Sequence, residues 1–230
     1  MSLNLALRLG AVAPAAASFA PTDLAGLAAW YDASDASTFT YSSGVVVSQW
    51  NDKSGNARHL TQGTVANQPS RSGTQNGLST VVYDGTNDVM SVAWTSLTQN
   101  GFVAVSFTGA SGVTQVVVGY GNDRYPIFNN SSNGSSGYIL TGGVGSSNTT
   151  TTFRTAASVM STSSPRVWLN GTLTTGTSTS SGSGGTLTVG AGGSFFLNGS
   201  IGEVVIYTTV PAGPDITQVL NYLKNKWGTP

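Results

Sequence analysis

The chain has 230 residues, 39% of them hydrophobic and only 8% charged, with nine basic side chains against nine acidic ones. Val, Thr, Tyr, Phe and Trp recur along its whole length, which allows a sizeable core and argues against a disordered chain. Zero net charge without a basic stripe argues against a nucleic-acid partner held by counterion release and against an anionic membrane surface; no apolar run approaches the roughly 20 residues of a bilayer span; and with no cysteine there are no disulfides, thiolate metal sites or thiol nucleophiles.

In chain order, residues 1–23 come first. Leu3, Leu5, Leu7 and Leu9 alternate as an edge strand does. Arg8 is the only early charge, and Asn4 and Pro14 interrupt the apolar stretch, so a signal peptide fits poorly. The segment reads as a retained arm for attachment or assembly, with a frayed terminus as the plain alternative.

From residue 24 onward, short apolar runs bounded by Gly, Asn, Ser or Pro predict strands. They fall at 24–30, 45–50, 80–83, 89–93, 101–108, 114–120, 126–128, 137–140, 151–160, 166–169, 187–189 and 201–207. Both alternating faces of 102–107 are apolar, which marks a central strand. Asn170-Gly171 predicts a tight hairpin, because both positions tolerate positive φ. The Ser/Thr/Gly/Asn-rich stretches 131–137, 142–152 and 172–185 lie between strands and read as loops and outer-face strands of one domain, 24–230. This spacing is that of an all-β sandwich or barrel.

The end of the chain changes period. Ile216, Val219, Leu220, Leu223 and Trp227 form one apolar stripe, predicting a closing helix at 215–227. Asp215 is its expected cap, with Gln218 completing a capping box, and Gly228 is its stop.

Three motifs taken together resemble the laminin G-like, concanavalin A-like jelly-roll superfamily. They are Trp50-Asn51-Asp52-Lys53-Ser54-Gly55-Asn56-Ala57-Arg58-His59-Leu60-Thr61, Val82-Tyr83-Asp84-Gly85-Thr86-Asn87-Asp88-Val89, and Asn198-Gly199-Ser200-Ile201-Gly202-Glu203-Val204-Val205-Ile206-Tyr207. The Trp168-Leu169-Asn170-Gly171 hairpin also fits. The resemblance implies a two-sheet antiparallel jelly-roll sandwich with a C-terminal helix. One departure stands out: the family's Asp before Glu203 is Gly202 here. The opening 27–35 is similar to the version of this domain in bacteriophage virion proteins. That similarity implies a decoration or fibre protein on the particle surface, assembled as a homo-oligomer with capsid or tail proteins as partners. The alternative is a carbohydrate-binding adhesion module of a secreted or surface protein, with surface glycans as partners.

The candidate chemistry is sparse. A glycosidase needs two carboxyls about 5 to 9.5 Å apart. Glu203 is the only Glu, most Asp residues sit in turn contexts, and the Glu-x-Asp-x-x-Glu strand of hydrolases of this fold is absent. The expectation is therefore a non-enzymatic chain without catalytic residues. His59, the only histidine, reads as a structural residue beside the Asp52 turn, and zinc lacks ligands. No cofactor is expected. Calcium, known among relatives, is the one metal to weigh, at Asp84, Asn87 and Asp88 or at Asp32 and Asp35, against an Asx-turn reading of the same residues. The ligand-binding candidate is the loop holding Tyr120, Asn122, Asp123, Arg124 and Tyr125: two aromatics, an amide, a carboxylate and a guanidinium in six residues.

Overall fold

A computed structural model describes residues 18–94, 101–110, 113–121, 124–130, 137–140, 144–147, 152–159, 165–176 and 185–230. The fold is an antiparallel all-β sandwich with one C-terminal helix.

Its organising strand is Asn198–Tyr207. One edge pairs with Phe102–Phe107. The other edge is shared, pairing with Leu78–Asp84 over its first half and with Leu27–Asp32 over its second. From Phe102–Phe107 the layer continues through Arg154–Val159, Arg166–Leu169 and Thr172–Thr175. The turn at Asn170 (φ 49°) and Gly171 (φ 88°) closes the expected hairpin. The second layer is built on Gly185–Val189, between Met90–Trp94 and Gln115–Tyr120. It extends to Arg124–Asn130, Gly137–Leu140 and Val144–Ser147. Phe39–Ser43, Val46–Trp50, Leu60–Thr61 and Ser70–Gln75 bridge the two layers.

The apolar runs land where their composition puts them. All six residues of Phe102–Phe107 are buried, as are all six of Gln115–Tyr120 and of Arg154–Val159. In Asn198–Tyr207 the seven residues from Ile201 on are buried, because this part of the strand is covered on both faces. Strands at 39–43 and 70–75 escaped the sequence reading, while 172–175 is one of the outer-face strands expected within 172–185. The first two are rich in Ser and Thr and half exposed, so their outward residues hide the alternation.

Helix α1 spans Gly213–Trp227 and buries Ile216, Val219, Leu220, Leu223 and Trp227, the expected stripe, on the sandwich. It begins two residues before the expected start. The N-cap is Ala212 in an extended conformation without a side-chain cap, and Pro214 sits in the first turn, where its missing N–H costs nothing. Asp215 therefore lies inside the first turn and favours the helix through the macrodipole, not as a cap. Gly228 (φ 61°) ends the helix, its N–H donating to the Lys224 carbonyl.

Of the segment assigned to an arm, residues 18–23 lie on the sandwich. Pro21 is buried, its carbonyl accepts the Tyr207 hydroxyl at 2.8 Å, and Phe19 meets Tyr222 edge-on at 5.9 Å. Residues 1–17, with the alternating leucines, lie outside the described residues.

Candidate functional site

Of the loop candidate, only the Tyr120 side chain is described. Tyr120 points inward, 1% exposed, and its hydroxyl donates to the Trp94 carbonyl at 2.7 Å; it is a core residue and not a stacking surface. Asn122 and Asp123 lie outside the described residues, as do the side chains of Arg124 and Tyr125, whose backbone begins the strand Arg124–Asn130.

The charged residues gather elsewhere, in a chain of ion pairs between the first strand, α1 and the strand holding Glu203. Asp35 and Asp32 both pair with Lys53, at 2.9 and 3.0 Å, and Asp32 and Glu203 both pair with Lys226, at 2.8 and 2.7 Å. Glu203 is fully buried. One carboxylate oxygen accepts from Trp30 Nε1 (2.6 Å) and the Tyr222 hydroxyl (2.7 Å), the other from Trp227 Nε1 (2.9 Å) and Lys226. Burial pushes its carboxyl above the usual carboxylate range, with Lys226 opposing. Burial also pushes Asp32 upward, but hydrogen bonds from Lys226, Ser34 and Lys53 outweigh it and hold that carboxyl low. Asp35 is lowered to about 2, first by Ser37 and then by Lys53. With four donors and no exposure, Glu203 has no lone pair for a substrate. It is the polar centre of the core, consistent with the rule that buried charges are paired and hydrogen-bonded.

The departure at Gly202 has its cause here. The residue lies at a register shift between Ile201 and Glu203, and a Cβ on it would sit 2.7 Å from the Trp227 ring. Trp227, stacked on Phe153 at 5.9 Å, fills the space an Asp side chain at this position would occupy. Glycine at this point of the strand permits the close approach.

The turn motifs are likewise occupied. Asp84 Oδ1 accepts the backbone N–H of Thr86, Asn87 and Asp88, and Asp88 Oδ2 accepts the N–H of Asp84 at 3.0 Å. Burial opposes the lowering of Asp84, but those three N–H groups prevail. Asp88 is raised to about 6, by burial first and then by the Asp84 charge. His59 Nδ1 accepts from the Asp52 N–H at 3.1 Å, the structural role expected of it.

One concavity combines apolar and polar groups without charge. A groove of about 260 Å³ is lined by Asn67, Asn87, Val89, Thr188, Ala191–Gly193 and Phe196. Four segments make it. The turn Val65–Asn67 is tied to the Asp84–Asp88 turn by the Val89 N–H donating to the Asn67 carbonyl at 3.1 Å. The strand Gly185–Val189 brings Thr188, and the ribbon Ala191–Gly192 with Phe195–Phe196 forms the far wall. Gly190 (φ 89°) lets the ribbon lie flat on the sandwich, since a Cβ there would fall 2.1 Å from the Tyr83 ring. Asn87 Oδ1 is buried and accepts no hydrogen bond among the described residues. A buried acceptor left unmade costs roughly 1–3 kcal/mol, and this one belongs to a residue lining a groove. Sequence reading took Asn87 for a turn residue and passed over the run 190–196. Its signal was there: small residues and glycines followed at once by two phenylalanines.

No family model matches the chain, and no curated protein matches its sequence. Solved structures do match its fold. A Trypanosoma rangeli sialidase in complex with sialic acid superposes with a TM-score of 0.62 at 14% identity, over 95% of this chain and 36% of the sialidase. An arabinofuranosidase complexed with arabinofuranosyl-α-1,2-xylobiose gives 0.58 at 18% identity, over 77% of this chain and 50% of that one. The chain thus spans between a third and a half of these neighbours, and the likeness is one of fold. It corrects the expectation of a non-enzymatic chain. That expectation took the missing Glu-x-Asp-x-x-Glu strand as grounds against catalysis, yet sandwiches similar in shape belong to a sialidase and an arabinofuranosidase. The missing strand excludes one arrangement of carboxylates and not the activity.

Proposed function

We propose that this chain is a glycan-recognition module that seats a sugar in the groove between Asn67, Asn87 and Phe196. The observation that supports it best is the uncharged groove itself, with two amides, a hydroxyl and an aromatic ring on its described walls. The Asn67 and Asn87 amides offer hydrogen-bond partners to sugar hydroxyls, the Thr188 hydroxyl, which donates to the Ala191 carbonyl, can still accept, and Phe196 gives the apolar face of a pyranose or furanose ring a surface. Mostly apolar walls with a few convergent polar groups are the usual form of a small-molecule site. The fold neighbours, a sialidase holding sialic acid and an arabinofuranosidase holding a substituted xylobiose, both handle glycans, which favours the same class of ligand here. Such a module can be borne on a phage particle, the setting drawn from the opening 27–35; stoichiometric recovery of the chain from purified particles tests that setting.

The experiment is a glycan array probed with the full chain, followed by calorimetry on the sugars retained. Reducing-sugar release is followed in the same wells, so that turnover and binding are both read. Asn87→Ala and Phe196→Ala are each expected to weaken binding about ten-fold, the value of one hydrogen bond or one ring contact. Retention of no glycan, or unchanged affinity in both variants, overturns the reading.

A further inference from the structure

We infer that the groove selects uncharged saccharides and rejects acidic ones, a selectivity that rests on the glycan reading above. Among the described residues its lining holds two amides, one hydroxyl, one aromatic ring and small apolar groups, and no Lys, Arg or His. Carboxylate ligands are ordinarily held by guanidinium or ammonium groups, or by clustered backbone N–H donors. The backbone N–H groups of Thr86, Asn87 and Asp88, in the turn beside the groove, already donate to Asp84.

The charge that is present has the wrong sign for an acidic sugar. Asp88 lies between Asn87 and Val89, both of which line the groove, so its Cα is about 3.8 Å from each of theirs. Asp84 is held against the same turn by the reciprocal bonds between the two residues. Among the described ion pairs neither aspartate has a cation; those pairs involve only Asp32, Asp35 and Glu203. An anionic ligand would enter beside two carboxylates that are hydrogen-bonded but have no cation, and would displace water without gaining a counter-charge. A neutral sugar meets no such repulsion, and its hydroxyls suit the amides and the hydroxyl of the lining. Desolvating a carboxylate without a partner is the larger of the two penalties, so the discrimination acts against acids more than it favours any one neutral sugar.

The test uses matched pairs on the full chain: oligogalacturonate against its methyl ester, and 3′-sialyllactose against lactose. The neutral member of a retained pair is expected to bind at least ten-fold more tightly at 20 mM salt. The gap should narrow at 300 mM salt, where screening shortens the reach of the two aspartates. Asp88→Asn keeps an acceptor for the Asp84 N–H and should reduce the gap while leaving the neutral ligand's affinity unchanged; its melting temperature confirms that it folds. Equal binding of both members, or preference for the acid, overturns the selectivity and leaves glycan recognition standing. Retention of neither member of any pair, or of any other glycan on the array, overturns both.

Discussion

Replacing Trp227 separates what its ring contributes from what its indole N–H contributes. The side chain is fully buried, stacks on Phe153 at 5.9 Å, lies over Gly202 and donates to Glu203 at 2.9 Å. A tryptophan buries about 200 Å², which at about 25 cal/mol per Å² is near 5 kcal/mol. Large-to-small changes of this kind cost about 3–5 kcal/mol. Trp227→Ala is therefore expected to lose about 4 kcal/mol. Trp227→Phe retains the stack but leaves one Glu203 oxygen with Lys226 alone, and should lose about 2 kcal/mol, in the range for removing a donor from a buried charged acceptor. At about 2–4 °C per kcal/mol for a chain of this size, the melting temperatures should fall by about 12 and 6 °C. Urea titration at constant m-value checks the free energies. The double variant Trp227→Phe with Glu203→Gln should lose less than the sum of the two single changes, because a neutral amide needs fewer donors. A Trp227→Phe protein that unfolds at the wild-type midpoint would refute the claim that the indole satisfies Glu203.

Gly202→Asp installs the residue of the resembled family 2.7 Å from the Trp227 ring, and should destabilise by about 3 kcal/mol or more, read from the urea midpoint. Lys226→Met leaves Asp32 and Glu203 without their shared cation and should cost about 3–5 kcal/mol; a loss below 1 kcal/mol would show that the pairs are dispensable. Stability against pH should have a maximum. The Asp88 carboxyl is raised to about 6, so protonation favours the fold and stability increases as pH falls through 6. Asp32, Asp84 and Asp35 are lowered, the last to about 2, so their contribution is present above about pH 4 and is lost as pH falls toward 2. Glu203, raised by burial, acts in the same direction, so Asp88→Asn should make the limb between pH 7 and 4 shallower without abolishing it and leave the acid limb, followed by thermal melts across pH.

Much of the sandwich was legible because burial follows composition: Phe102–Phe107 is apolar at every position but Ser106, and every position is buried. The helix stripe was legible for the same reason. Its start was not, because Ala212 caps it through backbone conformation alone, and Asp215 offers a stronger but misleading local signal. Glu203 looked like one face of an alternating strand. Its partners Trp30 and Trp227 come from segments 173 residues before and 24 after, and no local pattern announces them. The groove was invisible for the same reason, being assembled from residues near 67, 87, 188 and 196 whose proximity is set by topology. Tyr120 misled through its company. A tyrosine among Gly, Asn, Asp and Arg reads as exposed, yet it closes a strand whose six residues are all buried.

The charged knot around Glu203 also sets an order of events during folding. Asp32 and Trp30 lie in the first strand, Lys226 and Trp227 in the last turn of the helix, and Glu203 between them on the organising strand. Until helix and first strand arrive together, the only Glu faces desolvation without its donors, and the strand beneath α1 lacks its cover. Pairing over such sequence separations demands loop closure before it returns any contact, which slows folding. A nascent chain emerging from the ribosome would hold its core unsealed until the last turn of the helix had been made. In that interval the apolar strands, and not the finished sandwich, are the surface open to chaperones or to aggregation.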